Sequence, residues 1–352
     1  MSVPEINGTG VRLRALAEAE LDDVVAGWPE PASRWGAAGA GAWAIADPAT
    51  DRLLGAVALD HQDPARGQAE ALFWVRPDDR RRGVATAALT ALAGWALDAG
   101  HWARLELLIP WQNAPAQRVA LAAGFAREGV RRGVLADDDG TRAEAVAFAR
   151  VAGDAPGPVP RLLPDFPGGE LTDGVVTLRP LVPDDIPFYT ALHLVRDVVE
   201  TTVPPTPPST AQIRHRCTAA EAHWLAGIRA DLVIADVATG TPTGNIGLFY
   251  MEPGTGQAMI GYSMLPEWRG RGYATRAAKL ISLWVFAETG IARLIAGTTP
   301  TNVGSQRVLE RAGFRQEAFM RSRLPGKDDT RQDDLQYVLL PEDVLNAVST
   351  QP

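Results

Sequence analysis

The feature that most constrains this chain is that it is written twice. Shifted against itself by 189 residues, 55–126 align with 244–315 without a gap, and 24 of the 72 positions are identical. Matched pairs include Pro77 with Pro266, Arg80 with Arg269, Gly83 with Gly272, Trp95 with Trp284 and Asn113 with Asn302. A solenoid needs at least three shorter repeats, so two long copies imply two domains, which 352 residues accommodate. Upstream the register changes. VRLRAL (11–16) pairs with VTLRPL (176–181) at an offset of 165, so the second copy carries 24 extra residues before Gly244. The expected boundaries are a first domain over 1–152, a proline- and glycine-rich linker over 153–170, and a second domain over 171–352.

Both copies read alike: a short strand, an acidic-headed helix, three strands, a glycine-rich turn, an amphipathic helix, a strand, a helix closed by glycine, and final strands. The expected class is therefore mixed α/β (α+β), with each domain a twisted, mostly antiparallel sheet flanked by helices.

Composition removes several function classes. A net charge of −8 argues against a nucleic-acid surface, which wants a basic face. The single cysteine, Cys217, permits no intrachain disulfide and no four-thiolate zinc site, and the five histidines form no ligand-spaced set. No apolar run approaches membrane-spanning length, and MSVPEINGTG lacks the basic cap and apolar core of a signal peptide. A cytoplasmic protein without a metal is expected.

In the acidic background, two arginine clusters stand out, each set in a glycine-containing turn between a strand and a helix. Around Arg269-Gly270-Arg271-Gly272-Tyr273-Ala274-Thr275, glycines keep side chains away, so that backbone N–H groups converge on anionic oxygens. The helix N-terminus adds partial positive charge and the guanidiniums add full charges. A Walker loop would end in Gly-Lys-Ser/Thr where this chain has Gly-Tyr-Ala. A dinucleotide-binding turn would have a third glycine where this chain has Thr275.

The turn resembles the acyl-CoA loop of the GNAT acetyltransferases, [Gln/Arg]-x-x-Gly-x-[Gly/Ala]. Both 269–274 and Arg80-Arg81-Arg82-Gly83-Val84-Ala85 fit it. TNVGSQRVLERAGF (301–314) is similar to the family's later Asn-x-x-Ser helix, and AMIGYSMLPEWRGRGYAT resembles the RimJ/RimL branch. The resemblance covers about 170–340 well and 10–150 more loosely. It implies acetyl-CoA as cosubstrate and an amine acceptor, either a small molecule or a peptide N-terminus. It also implies two parallel strands, 258–265 and 293–299, that part around the pantetheine arm. Backbone N–H groups near Ser263, Met264 and Leu265 would face the thioester. Diphosphate would sit on 269–275 and, in the first copy, on Arg80, Arg82, Gly83 and Ala85.

The copies diverge where chemistry is expected. The serine of Asn-x-x-Ser is Ser305 in the second copy and Ala116 in the first. The position often glutamate in the RimJ/RimL branch is Met259 in the second and Glu70 in the first. The second copy keeps both Asn302 and Ser305, holds all five tyrosines and has the longer acceptor segment, so it is the expected catalyst. Ser305 reads equally as a helix-starting serine or a catalytic one. Asn302 reads as a contact to the cosubstrate. Tyr262 reads as a packed aromatic or a general acid, and Glu252 as a solvated strand-end carboxylate or a base.

Three functions stay open: an N-acetyltransferase, an N-acyltransferase whose donor is a longer acyl-CoA or an acyl carrier protein, and a CoA-binding sensor without turnover. Monomer and dimer both fit.

Overall fold

A computed structural model of the chain describes residues 3–27, 41–98, 102–136 and 141–344. The chain forms two compact units, Met1–Pro160 and Arg161–Pro352. The first carries strands β1 (Ile6–Gly8), β2 (Val11–Ala15), β3 (Ala42–Ala46), β4 (Leu53–Asp63), β5 (Gln68–Val75), β6 (Arg104–Pro110), β7 (Ala126–Ala136) and β8 (Arg142–Val151). They form one sheet in the order β1-β2-β3-β4-β5-β6-β8-β7. Its described helices are α1 (Glu18–Gly27), α2 (Val84–Asp98) and α3 (Ala114–Ala122).

The second unit repeats the plan with α4 (Ile186–His193), α5 (Arg196–Thr201), α6 (Thr210–Thr218), α7 (Ala220–Leu225), α8 (Tyr273–Glu288) and α9 (Val303–Ala312). Its strands are β9 (Leu171–Thr172), β10 (Val176–Pro180), β11 (Arg229–Asp236), β12 (Pro242–Glu252), β13 (Gln257–Met264), β14 (Arg293–Thr298), β15 (Arg315–Pro325) and β16 (Arg331–Leu339). The order β15-β16-β14-β13-β12-β11-β10-β9 mirrors the first sheet.

Every pairing in the second sheet is antiparallel except β13 with β14. That pair is joined at Gln257–Arg293, Ala258–Leu294 and Met259–Ile295 and then parts. The strands therefore splay from Ile260 onward, as the resemblance implies. The first unit repeats this at Gln68–Arg104, Ala69–Leu105 and Glu70–Glu106.

Strand alternation sorts the side chains. Ala258, Ile260 and Met264 of β13, Ile246 and Leu248 of β12, and Leu294 and Ala296 of β14 pack under α8. The buried stripe of α8 against them is Ala277, Ala278, Ile281, Trp284 and Val285. The opposite face of β10 and β11 is covered by a second cluster that joins Leu181, Tyr189, Ile213, Cys217, Ala220 and Val233. Between β10 and β11 the chain builds α4 through α7, so the longer segment of the second copy is folded into helices.

The linker expectation needs correction. Residues 153–170 do not form one tether. Val159 N–H donates to Leu121 O in the first unit. Leu163 and Phe166 are buried in the core of the second. There Trp224 Nε1 donates to the carbonyls of Leu163 and Pro164, and Phe166 packs edge-on against Trp224 and Trp284. Proline and glycine content marks irregular backbone, but apolar side chains within it still seek a core.

Candidate active site

The turn after β13 is shaped by two left-handed glycines, Gly270 (φ 74°) and Gly272 (φ 83°). A Cβ built on either meets no atom within 4 Å, so the backbone here faces open space. Gly272 is also the N-cap of α8 and has no side chain to bond the first N–H groups of the helix. Those donors and the helix dipole are thus left for a ligand, which is the arrangement an anion requires. The turn is braced from behind. Tyr273 Oη donates to Asp236 at 2.5 Å, Trp268 packs edge-on against Tyr273, and the Arg271 guanidinium lies 4.8 Å over the Trp268 ring.

Arg269 behaves differently from the sequence expectation. Its Nε and Nη2 both donate to Met264 O, at 3.0 and 2.9 Å, clamping the turn to the end of β13. Its remaining face pairs with the Asp197 carboxylate from α5. Arg269 is therefore a brace whose charge is already balanced, and its pairing holds the Asp197 carboxyl below its usual range.

A cavity of about 660 Å³ runs from this turn into the splay of β13 and β14. It brings together Tyr262, Ser263, Met264, Arg269, Gly270, Gly272, Tyr273, Ala274, Thr275, Asn302 and Ser305 of the expected set. Leu265 and Arg271 do not line it. Glu252 is not brought in either. It pairs with Gln257 at the far end of β12, about 23 Å from Met264 along the strand, and bonds Thr255 and Gln257 in solvent.

At the splay, Leu265 N–H donates to Thr243 O on the β12 side. Donors alternate along a strand, so Met264 N–H points the other way, into the opening, while Ser263 N–H faces β12. Of the three, only Met264 directs its N–H into the opening. Across the opening, Tyr262 Oη lies 2.9 Å from Ser305 Oγ and also donates to Ser305 O at 3.2 Å. Burial pushes the Tyr262 phenol up to about 12, against a smaller lowering from Ser305, so it is a protonated donor at neutral pH. Asn302 is the N-cap of α9, its Oδ1 accepting from Ser305 N at 3.1 Å. Asn113 caps α3 in the same way through Ala116 N. Capping thus accounts for this asparagine in both copies, including the one without the serine.

Sequence reasoning missed three features. The α5 wall contributes Asp197, Val198 and Thr201, and α9 contributes Arg307 and Arg311. The third is a strip of glycines on the sheet face away from α8. Gly247 pairs with Gly261, and Gly297 occupies the matching place on β14; Gly261 and Gly297 are exposed. In the first unit the 189-residue offset places Ala58, Leu72 and Leu108 there, with Ala58 and Leu72 buried. That contrast was readable in the alignment as glycine against alanine or leucine.

The turn of the first unit also differs. Arg81, not glycine, takes the left-handed position (φ 60°) before Gly83 (φ 79°). Arg80 Nε braces Val75 O as Arg269 braces Met264 O. Arg82 is drawn onto the buried Asp79, which Arg52 also grips at 2.7 and 2.8 Å. Of the four residues expected to cradle phosphate there, Arg80 and Arg82 already have internal partners.

A family model described as the acetyltransferase (GNAT) domain matches the chain twice, over 11–126 and 176–315. The chain is 33% identical over 96 residues to the uncharacterized N-acetyltransferase YnaD of Bacillus subtilis, covering 27% of this chain and 56% of that protein. It is 35% identical over 101 residues to the probable N-acetyltransferase YjcK of the same organism, covering 28% and 56%. The chain thus spans about half the length of the curated relatives it matches. Among solved structures, Mycobacterium smegmatis RimJ in complex with CoA-disulfide is 22% identical, with a TM-score of 0.43 over 51% of this chain and 92% of that one.

Proposed function

The chain belongs to the GNAT acetyltransferase family, whose domain it carries twice, and from that premise we propose that its second unit transfers an acetyl group from acetyl-CoA to a primary amine. The observation that carries this reading is the single cavity joining the glycine turn to the splay of β13 and β14. The residues fit the cosubstrate: bare backbone at Gly270 and Gly272 leaves room for a diphosphate, and uncapped donors of α8 face it.

Acetyl-CoA supplies an activated thioester, and the amine attacks it directly. Met264 N–H, aimed into the opening, donates to the carbonyl oxygen as that atom gains negative charge. Such a donor contributes about 3 kcal/mol in related acyl transfers. Holding the two reactants in one cavity contributes much of the rest. An α-amino group with a pKa near 8 is about one-tenth neutral at pH 7, so no strong base is required.

Magnitudes decide how Tyr262 and Ser305 act. A phenol at about 12 giving its proton outright to a thiolate of pKa about 8.5 would climb about 5 kcal/mol. The pair therefore stabilises the departing sulfur by hydrogen bonding and leaves full protonation to solvent.

The first unit is assigned no turnover. It carries Leu72 and Leu108 at the places of Gly261 and Gly297, its counterpart of Ser305 is Ala116, and Arg82 is held by Asp79. The test is release of free thiol from acetyl-CoA across a panel of small amines and peptides. Turnover that survives Gly272→Asp and is lost with Gly83→Asp would place the reaction in the wrong unit.

A further inference from the structure

We infer that Arg216 and Arg229 form an anion subsite for the acceptor, so that the preferred acceptor is a peptide N-terminus with an aspartate or glutamate at its second or third residue. This rests on the reading that the second unit acetylates an amine at the splay of β13 and β14, reached over Gly261 from the face away from α8. It narrows the acceptor from primary amines in general to acidic N-termini.

Three adjoining strands give the placement. Asp231 of β11 pairs with Gly247 of β12, which pairs with Gly261 of β13, so the three stand in one row on one face of the sheet. Gly261 is exposed and directly precedes Tyr262, a residue of the cavity wall. A Cβ on Gly247 would lie 3.0 Å from the Phe249 ring, and one on Gly261 would lie 3.9 Å from the same ring atom. The ring therefore lies along the row and ends beside the splay. The guanidiniums of Arg216 and Arg229 stand 5.9 and 5.8 Å from its centroid. From β13 to β11 is two strand spacings, about 10 Å. An extended peptide advances about 3.3 Å per residue, so with its amine at the splay a carboxylate on the second or third residue reaches the arginines.

The charge balance points to an anion. Arg216 from α6 and Arg229 from β11 both approach Asp231 through Nε, at 3.3 and 2.7 Å. Arg216 Nε also donates to Tyr189 Oη at 3.3 Å. Asp231 is 3% exposed. Burial raises its carboxyl to about 6, against a lowering by Arg216 and His223, so it is ionised at neutral pH. Two positive charges thus meet one negative charge, and one is left over. His193, stacked on Tyr189, and His223 are both lowered mainly by burial and add no charge. Among the described residues, the Nη groups of the two arginines make no hydrogen bond, and the side chains are 29% and 15% exposed. A carboxylate can accept from such groups two at a time. It also matches the single excess charge, which a phosphate monoester at about −1.5 to −2 would overshoot. At the 189-residue offset the first unit has Ala42, Asp60 and Leu72 for Asp231, Phe249 and Gly261, so the arrangement belongs to the second copy alone.

The test measures thiol release from acetyl-CoA by the full chain with two peptides, amidated at the carboxyl end and differing only in aspartate or asparagine at the third residue. The parent should favour the aspartyl peptide at least about tenfold in kcat/KM, the effect of one charge-assisted hydrogen bond. Raising the salt concentration should erode that preference. In Arg229→Gln the ratio should fall below about threefold, and Arg216→Lys, which keeps a charge beside Asp231 but loses the planar fork, should also lower it. Calorimetric titration with CoA reports that each variant is folded. Equal kcat/KM for the two peptides in the parent would overturn the inference, and so would a preference that both folded variants retain. Turnover of small amines with neither peptide accepted would overturn it too, while leaving acetyl transfer in place. Absence of thiol release with any amine would remove both.

Discussion

Gly272 sits where backbone shape and ligand charge meet, and two substitutions there separate the effects. At φ 83° any side chain incurs the left-handed penalty of about 1 kcal/mol. A Cβ meets nothing within 4 Å, so no steric cost is added. Gly272→Ala and Gly272→Asp should therefore lower the stability of the second unit by similar amounts. Only the aspartate brings a charge. Its carboxylate would stand about 5 Å from a diphosphate oxygen, where unit charges repel by about 1 kcal/mol at a dielectric of 80 and about 3 kcal/mol at 20. CoA affinity should then fall about 5- to 150-fold below that of the alanine variant. Calorimetric titration gives the affinities, and thermal unfolding gives the shared backbone term. Equal CoA affinity in the two variants would show that no phosphate approaches this turn.

Tyr262→Phe and Ser305→Ala should each lower kcat about tenfold, with CoA affinity nearly unchanged. Because the two hydroxyls are joined at 2.9 Å, the double variant should lose less than the product of the single losses; full multiplicativity in steady-state kinetics would mean that they act separately. Gly261→Leu copies the residue of the first unit into the strip. A leucine there would block an amine that approaches from the face away from α8, so turnover should fall about 100-fold while CoA affinity stays within threefold; an active variant would show that the amine takes another route. His193 is partly buried and its imidazole is lowered to about 4, mainly by desolvation. The unfolded chain then binds the extra proton between about pH 6.5 and 4, so stability is full above that window and declines as pH falls through it. His193→Phe should flatten that part of the unfolding-midpoint profile, and an unchanged slope would assign it to other groups.

The parts legible in the sequence are those a repeat displays. Aligning the copies exposed the glycine turns and the shared asparagines Asn113 and Asn302, although Asn302 was read as a cosubstrate contact and the structure makes both helix caps; the strand pair that opens was implied by the family resemblance. Tyr262 and Ser305 were readable as candidates, but not as partners, because 43 residues and a change of element separate them. Asp197 was hidden for a related reason: it lies between β10 and β11, outside the gap-free alignment of 244–315 with 55–126, so no alignment drew attention to it. Arg269 and Arg82 were read as phosphate ligands from motif position. The carboxylates that engage them, Asp197 and Asp79, come from positions the motif does not include. A motif records residue types along the chain, whereas charge balance is settled by whatever the fold brings alongside.

Leu163 and Phe166 have a bearing on how the molecule can be divided. Both precede the first strand of the second unit, yet both are buried with it. A gene trimmed to begin at 171 would encode a sheet with Trp224 uncovered and its indole N–H unanswered. Loss of a buried phenylalanine alone costs about 3–5 kcal/mol. Severing instead between Pro160 and Arg161 keeps Leu163 and Phe166 with the interior they fill.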